Sequence, residues 1–511
     1  MEVSIKKNCY GTCPVSCTGQ FGSFVGSLLV FFVLLLFLGS TGCVSTSGES
    51  EYVRAPYPDP VAVDYDAIME RGTIRMITRY NSTSYFLHRG ADRGFEYELV
   101  SRFADEHDLK VEVVLLRPED DPIEMLLRGE GDLIVGNYAI TPERRRHVGF
   151  THPYNIVNQV LVQSESARPV VELSDLEDVE ITVRKSSSYY QKLREFTGKG
   201  LELTVRIADE DWNTEALMLE VANGNIEATV ADDNLFIMAS NYIDGIAAHK
   251  VIAEADTVAW AVRPNASELN EHMDRFLQEH FRIRASDGRI LRSAFLNILQ
   301  RRYFDDERQV RRLVDPSLNM ALSGYISPYD DLVRDIATES DVDWKLVLAV
   351  MAQESQFNPN ARSWAGAVGL MQIIPRFSEV EQEALLFDPE INIREGVRYL
   401  REHLDRYAHL DSLNRYSMAL GAYNVGMGHM ADARRLAIQL GNDPDEWESI
   451  ADALLKLMNH KYYQHARYGF KRGIETVNYV ESVLDRYQTF HSVAELAVRY
   501  EESGIISVWM P

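Results

Sequence analysis

Across residues 68–136 short runs rich in β-branched and other apolar residues, GTIRMIT, KVEVVLL and GDLIVG, alternate with the amphipathic stretches FEYELVSRFADEH and IEMLLRGE. Strands separated by helices predict parallel β-α-β units, with helices laid over the faces of a sheet. In the first helical stretch Leu99, Phe103 and Ala104 follow Phe95 and Glu96 at helical spacing, which makes one apolar stripe and marks core. The module extends to about Phe304. DDERQVRRLVDPSLNMALSGYISP, charged and carrying proline and glycine, then forms a natural border. Beyond it strand signals almost vanish, and a mostly helical second domain is expected. There DWKLVLAVMAQES, capped by Asp341 or Asp343, spaces Trp344, Val347, Leu348 and Met351 along one face that ends at Glu354. Asn392 is expected to cap a helix carrying Ile393, Val397, Leu400, Leu404 and Tyr407, and a further helix ends at Gly426.

The beginning of the chain follows another pattern. Lys6 and Lys7 precede an apolar run from Phe21 to Leu38, and small residues lead on to Cys43, the order of an export signal. The run is also long enough to span a bilayer, so a retained anchor stays open. Gly42-Cys43 resembles a bacterial lipoprotein processing site, with Ser40 standing where that pattern prefers leucine. Residues 44–67, polar and proline-bearing, read as a tether that holds the body off a membrane. All four cysteines, Cys9, Cys13, Cys17 and Cys43, precede the globular part, which excludes thiol, disulfide and cysteine-zinc chemistry there. A net charge of -25 argues against a nucleic-acid partner. No metal or cofactor is expected. The expected boundaries are a signal or membrane segment at 1–43, tether 44–67, first module 68–304, linker 305–324, second domain 325–490 and a tail at 491–511.

Several separated motifs give the first module a family likeness. Gly94-Phe95-Glu96-Tyr97-Glu98-Leu99, then Thr141-Pro142-Glu143-Arg144, then Phe150-Thr151-His152-Pro153-Tyr154 occur in the order found in family 3 solute-binding proteins, which capture amino acids. The resemblance implies a two-lobed α/β fold of the periplasmic-binding-protein type. It also implies that Arg144, with Thr141 nearby, grips a ligand carboxylate, a task suited to a planar guanidinium. Ser187 and Ser188 open a helix whose free N–H groups can receive an anion, although Ser186 stands where the family often has glycine. Asp232 matches the acid that meets the ligand's amino group, with Asp233 as the alternative register. The ligand implied is a small zwitterion, such as a free amino acid or a muropeptide.

The second domain carries the denser signal. ESQFNPNARSWAGAVGLMQIIP, from Glu354 to Pro375, matches at every fixed position the pattern E-S-x-F-x-P-x-A-x-S-x-x-G-A-x-G-L-M-Q-x-x-P of soluble lytic transglycosylase catalytic domains, members of the lysozyme-like superfamily. Ala422-Tyr423-Asn424, and Glu475-Thr476 with Tyr479-Val480, match two later elements. The resemblance implies a helical lysozyme-like domain acting on peptidoglycan. In it Glu354 protonates the bond between N-acetylmuramic acid and N-acetylglucosamine, then as a carboxylate takes the proton of the sugar's own 6-hydroxyl. That hydroxyl closes a 1,6-anhydro ring without water, its tether to the anomeric carbon supplying the proximity. Tyr423 is expected to hydrogen-bond the carboxyl group, and Ser363, Met371, Gln372, Asn424 and Tyr479 to surround the substrate. Most glycosidases use two carboxylates, and no obvious second one stands near Glu354 in the sequence. A water-using hydrolase and a non-catalytic murein sensor remain alternatives. The implied location is the cell envelope, at the periplasmic face of the outer membrane.

Overall fold

The structure, a computed structural model, describes residues 57–88, 90–117, 119–305, 307–313 and 325–502. The export segment, Cys43 and the beginning of the tether lie outside the described residues, as do 314–324 of the linker and 503–511.

In chain order the strands of the first module's two main sheets are β1 (Thr73–Thr78), β2 (Lys110–Leu115), β3 (Leu133–Ile134), β4 (Gly149–Phe150), β5 (Asn155–Ser164), β6 (Glu180–Arg184), β7 (Thr204–Ala208), β8 (Ala228–Asp232), β9 (Ile246–Val258) and β10 (Ala261–Val262). One sheet has the order β2-β1-β3-β10-β4, the other β9-β5-β8-β6-β7. Strand β1 lies parallel to β2 and β3, as the alternating pattern predicts, and the helix Phe95–Glu106 crosses between β1 and β2. Its stripe of Phe95, Leu99, Val100, Phe103 and Ala104 is buried. The chain passes between sheets twice, from Phe150 to Asn155 and from Val258 to Ala261, so the module is two-lobed with short crossovers. Two small hairpins complete it, one of which pairs Phe86–His88 with Ala91–Arg93.

Two expected boundaries of the first module shift. Residues 57–67, assigned to the tether, pack on the body: Val61 N–H donates to Leu127 O at 3.0 Å, and Asp64 caps the helix Tyr65–Arg71. The cause is Arg263, whose fully buried guanidinium needs acceptors and finds Val63 O at 3.1 Å, Gly131 O at 2.6 Å and the Asp132 carboxylate at 3.3 Å. Within the expected linker, Glu307–Leu313 is helical and buries Val310.

The second domain consists of helices α1 (Asp330–Glu339), α2 (Trp344–Ser355), α3 (Pro389–Arg406), α4 (Ser412–Val425), α5 (Met427–Gln439), α6 (Trp447–Lys456) and α7 (Gly473–Glu502), with a four-residue helix at His460–Tyr463. Asp343 caps α2 by accepting from Lys345 N–H. Every residue from Leu346 to Ala352 is buried, so α2 is a central helix and not the one-faced helix its spacing predicts. Helix α7 runs through the expected domain end at 490, because Phe490, Val493 and Leu496 continue its buried side. Among the described residues no helix is long and apolar enough to cross a membrane.

Candidate active site and ligand cleft

Helix α2 ends on Glu354 and Ser355, and the two residues that follow, Gln356 (φ 51°) and Phe357 (φ 59°), both take the left-handed region. Each costs a non-glycine residue ~1–2 kcal/mol. Several contacts hold the turn. Gln356 N–H donates to Ala352 O at 3.1 Å, and Ser355 Oγ donates to Leu370 O at 2.8 Å, which ties the helix end to the glycine turn. In that turn Gly369 (φ 79°) admits no side chain, since a Cβ there would lie 2.1 Å from Asn392 Nδ2. Asn392 is therefore not the helix cap expected of it. Asp388 caps α3, and Asn392, buried one turn inside, accepts from Met371 N–H at 2.8 Å and donates to Leu386 O and Val368 O at 2.7 and 3.0 Å.

The Glu354 carboxyl group is half-buried and accepts a hydrogen bond from Tyr479 OH at 2.8 Å. Burial pushes its pKa up to about 7, and the Tyr479 hydrogen bond offsets part of the rise. Tyr423 does not reach the carboxyl group as expected; its OH donates to Met371 O at 2.8 Å. The two tyrosines have exchanged roles, since α7 brings Tyr479 to the end of α2 and Tyr423 faces the glycine turn. Both phenols are held well above their usual pKa by burial and by Glu354, and stay protonated. Glu395, which also acts on Tyr423, is bound to Arg398 at 2.6 Å and to Glu379 N–H.

Around this centre the predicted residues separate into two groups. Ser363 Oγ accepts from Ala367 N–H at 3.0 Å, and Gln372 donates to Gly369 O at 2.9 Å, so both are half-exposed on the turn. Asn424 is exposed, and its Oδ1 accepts from Thr476 Oγ1 at 2.9 Å. Met371, expected against substrate, is fully buried, and its sulfur lies so close to Gly396 that a Cβ there would meet it at 2.2 Å. An apolar residue inside a tight turn faces the core, and only its carbonyl oxygen reaches the site. Ser355, Asn392 and Thr476 were not read from the sequence as site residues. Ser355 and Thr476 stood within the matched motifs, whereas capping had already explained Asn392.

In the first module the lobes meet directly. Asn137 (φ 55°) of one lobe donates to the Asp232 carboxylate of the other and accepts from Asn234 Nδ2 at 3.0 Å. Ser82 N–H donates to Glu215 Oε1 at 3.1 Å across the same cleft. Asp232 is buried, with burial pushing its pKa up to about 7, and its Oδ1 has no partner among the described residues. Asp233 instead pairs with Asn158 at 2.8 Å, so the two registers occupy different surroundings. Glu96 joins the expected motifs in space: it accepts from Tyr154 OH at 2.5 Å and Asn137 N–H at 3.1 Å. Arg144 stacks 3.9 Å from the Tyr138 ring centre and donates to Ala139 O at 2.8 Å, while Thr141 Oγ1 accepts from Arg144 N–H at 3.2 Å. Ser187 caps the helix Ser188–Gly198 by accepting from Tyr190 N–H. Just before it Ser186 N–H donates to Glu210 Oε1 at 3.0 Å.

Fold and site together define a lysozyme-like domain with a desolvated glutamate at the end of its central helix, joined to a two-lobed solute-binding module. Family models agree: "Transglycosylase SLT domain" matches residues 331–444, and "Bacterial extracellular solute-binding proteins, family 3" matches residues 73–286. Membrane-bound lytic murein transglycosylase F of Desulfosudis oleivorans is 31% identical over 422 residues, which cover 82% of this chain and 90% of that protein. The protein of the same name from Aliivibrio fischeri is 32% identical over 479 residues, covering 91% and 90%. Among solved structures, the P235GK mutant of the arginine-binding protein ArgBP from T. maritima is 20% identical, with a TM-score of 0.40, and the match covers 47% of this chain and 99% of that one. The chain belongs to the membrane-bound lytic murein transglycosylase F family.

Proposed function

We propose that the chain is a murein lytic transglycosylase of the cell envelope, with Glu354 as the single acid and base and the first module as a ligand-binding regulator. The observation that carries this reading is the Glu354 carboxyl group itself: desolvated, bonded to one phenol and pushed up to about 7, it populates both protonation states near neutral pH and is suited to give a proton and then take one. Glu395 is neutralised by Arg398, which supports a one-carboxylate mechanism over a two-carboxylate hydrolase. The 6-hydroxyl of N-acetylmuramic acid then gives its proton to Glu354 and attacks the anomeric carbon, leaving a 1,6-anhydro end. Ser363, Gln372 and Asn424 line the approach as contacts for N-acetyl groups.

For the first module the reading is a small zwitterion, its amino group at Asp232 and its carboxylate at Arg144, with opening and closing of the lobes altering the catalytic domain. Cys43 as a lipidated residue would hold the enzyme at the periplasmic face of the outer membrane. Product mass tests the central claim. Purified murein treated with the wild-type protein should yield muropeptides one water lighter than reducing ends, and Glu354→Gln should bind murein without releasing them. Reducing-end products would establish the hydrolase instead.

A further inference from the structure

The binding module touches the catalytic domain immediately behind Glu354. The hairpin that pairs Phe86–His88 with Ala91–Arg93 presents Gly90, buried and at φ 71°, to the end of α2. A Cβ on Gly90 would lie 2.6 Å from Phe357 Cε2 and 2.8 Å from Ala352 Cβ, so the backbone of the hairpin is seated directly on the left-handed turn that follows the glutamate. The Phe357 ring that fills this seat is buried. Arg486 of α7 closes the contact: Nη1 donates to Gly90 O at 2.5 Å and Nε to the side-chain oxygen of Gln353 at 3.4 Å, next in sequence to Glu354. Arg486 stands two helical turns beyond Tyr479, on the same side of α7, and Tyr479 donates to the Glu354 carboxyl group. One helix face thus holds both the reacting group and the hairpin. Tyr97 of the first module and Asp485 of α7 feel the charge of Arg486, and Asp92 acts on both of them.

We propose that Arg486, Phe357 and Gly90 are positioning residues for Glu354, and that the binding module's hairpin is thereby a structural part of the catalytic site. This role presupposes Glu354 as the acid. The strained turn at Gln356-Phe357 is supported from two sides, by the Ser355 hydroxyl bonded to Leu370 O of the glycine turn and by the hairpin of the first module. Loosening the second allows the turn to relax, which moves the carboxyl group relative to the Tyr479 phenol while the substrate groove keeps its contacts.

The test uses the full chain with Arg486→Ala, Arg486→Lys, Gly90→Ala and Glu354→Gln. On purified murein Arg486→Ala should lower kcat about tenfold with KM within about twofold of the parent. Arg486→Lys keeps the charge and one donor, so it should recover part of the loss, and Gly90→Ala should lower kcat by displacing the Phe357 ring. Infrared difference titration supplies a readout independent of turnover: the band of the protonated Glu354 carboxyl group, assigned by its absence in Glu354→Gln, should shift in Arg486→Ala. An Arg486→Ala protein with parental kcat and an unshifted band overturns the proposal, as does a lowered melting temperature with both unchanged. Should Glu354→Gln keep its activity, the functional reading fails separately, and the band shift alone decides whether Arg486 positions the carboxyl group.

Discussion

Two of the molecule's desolvated carboxyl groups, one in each domain, sit in different settings. Glu354 in the catalytic domain and Asp232 in the ligand cleft are each pushed up to about 7, and burial is the principal cause in both. Glu354 has one partner, a phenol, on the half-buried end of a helix. Asp232 is deeply buried and tied across the lobes to Asn137, with Tyr189 OH accepting from its backbone N–H. A raised pKa therefore does not by itself mark an acid catalyst. What separates the two is access: the Glu354 carboxyl group stands half-buried at a helix end, and the Asp232 carboxyl group is enclosed between the lobes.

The largest effect separating the two sites is on turnover. Glu354→Gln should lower kcat by about 10³-fold or more, in line with loss of a general acid, while Asp232→Asn should leave the chemical step near its parental rate. Equal losses in the two variants would erase the distinction. Tyr479→Phe comes next. The phenol's hydrogen bond lowers the Glu354 pKa, so removing it raises that pKa further, and the fall of kcat with rising pH, expected near pH 7 in the parent, should move to higher pH with kcat at its optimum reduced about tenfold. A profile that moves to lower pH would show that Tyr479 does not favour the carboxylate.

Stability gives a smaller contrast with a definite sign. Both groups have folded-state pKa values above their unfolded ones, so their contribution is complete below about pH 4 and is lost as pH rises toward 7. Asp232→Asn removes a carboxyl group that must ionise in a buried site, and relative to the parent it should gain about 1–3 kcal/mol between pH 4 and 8. Calorimetric melting at the two pH values measures this. A parent that gains stability over the variant with rising pH would mean that Asp232 is ionised and paired.

Much of this was legible in the chain. Alternating apolar runs marked the parallel core around β1, and the motif from Glu354 to Pro375 marked the helix end and its glycine turn. The errors have physical causes. Asn392 sits at a plausible cap position, but Asp388 already serves, and only the closeness of Gly369 reveals that its amide spans a turn from another part of the chain. Met371 belongs to the motif because the turn needs its packing and its carbonyl oxygen, not a substrate contact. Tyr423 is the phenol the sequence places at Glu354 and Tyr479 is the one found there, since which phenol meets the carboxyl group depends on how α7 packs on α2. Residues 57–67 looked like a tether because their partner, Arg263, lies about 200 positions away. Sequence patterns report local spacing, and each of these was decided by a long-range contact.

The smallest effect expected tests the cleft alone. Asn137 links Asp232 and Asn234 of the opposite lobe, and its backbone N–H meets Glu96, so it belongs to both halves of the contact. Asn137→Ala removes the side-chain bonds and keeps the backbone one, which should cost the closed arrangement about 1–2 kcal/mol. Hydrogen exchange in the ligand-free protein should then quicken around Ser82 and Asp232, with α2 unaffected. The bond to Asp232 is stronger when that carboxyl group is ionised, so the difference between variant and parent should be larger at pH 8 than at pH 5.5. Equal exchange at both pH values would mean that Ser82 and Glu215 hold the lobes together without Asn137, and that the cleft, unlike the catalytic site, does not depend on the charge of its buried acid.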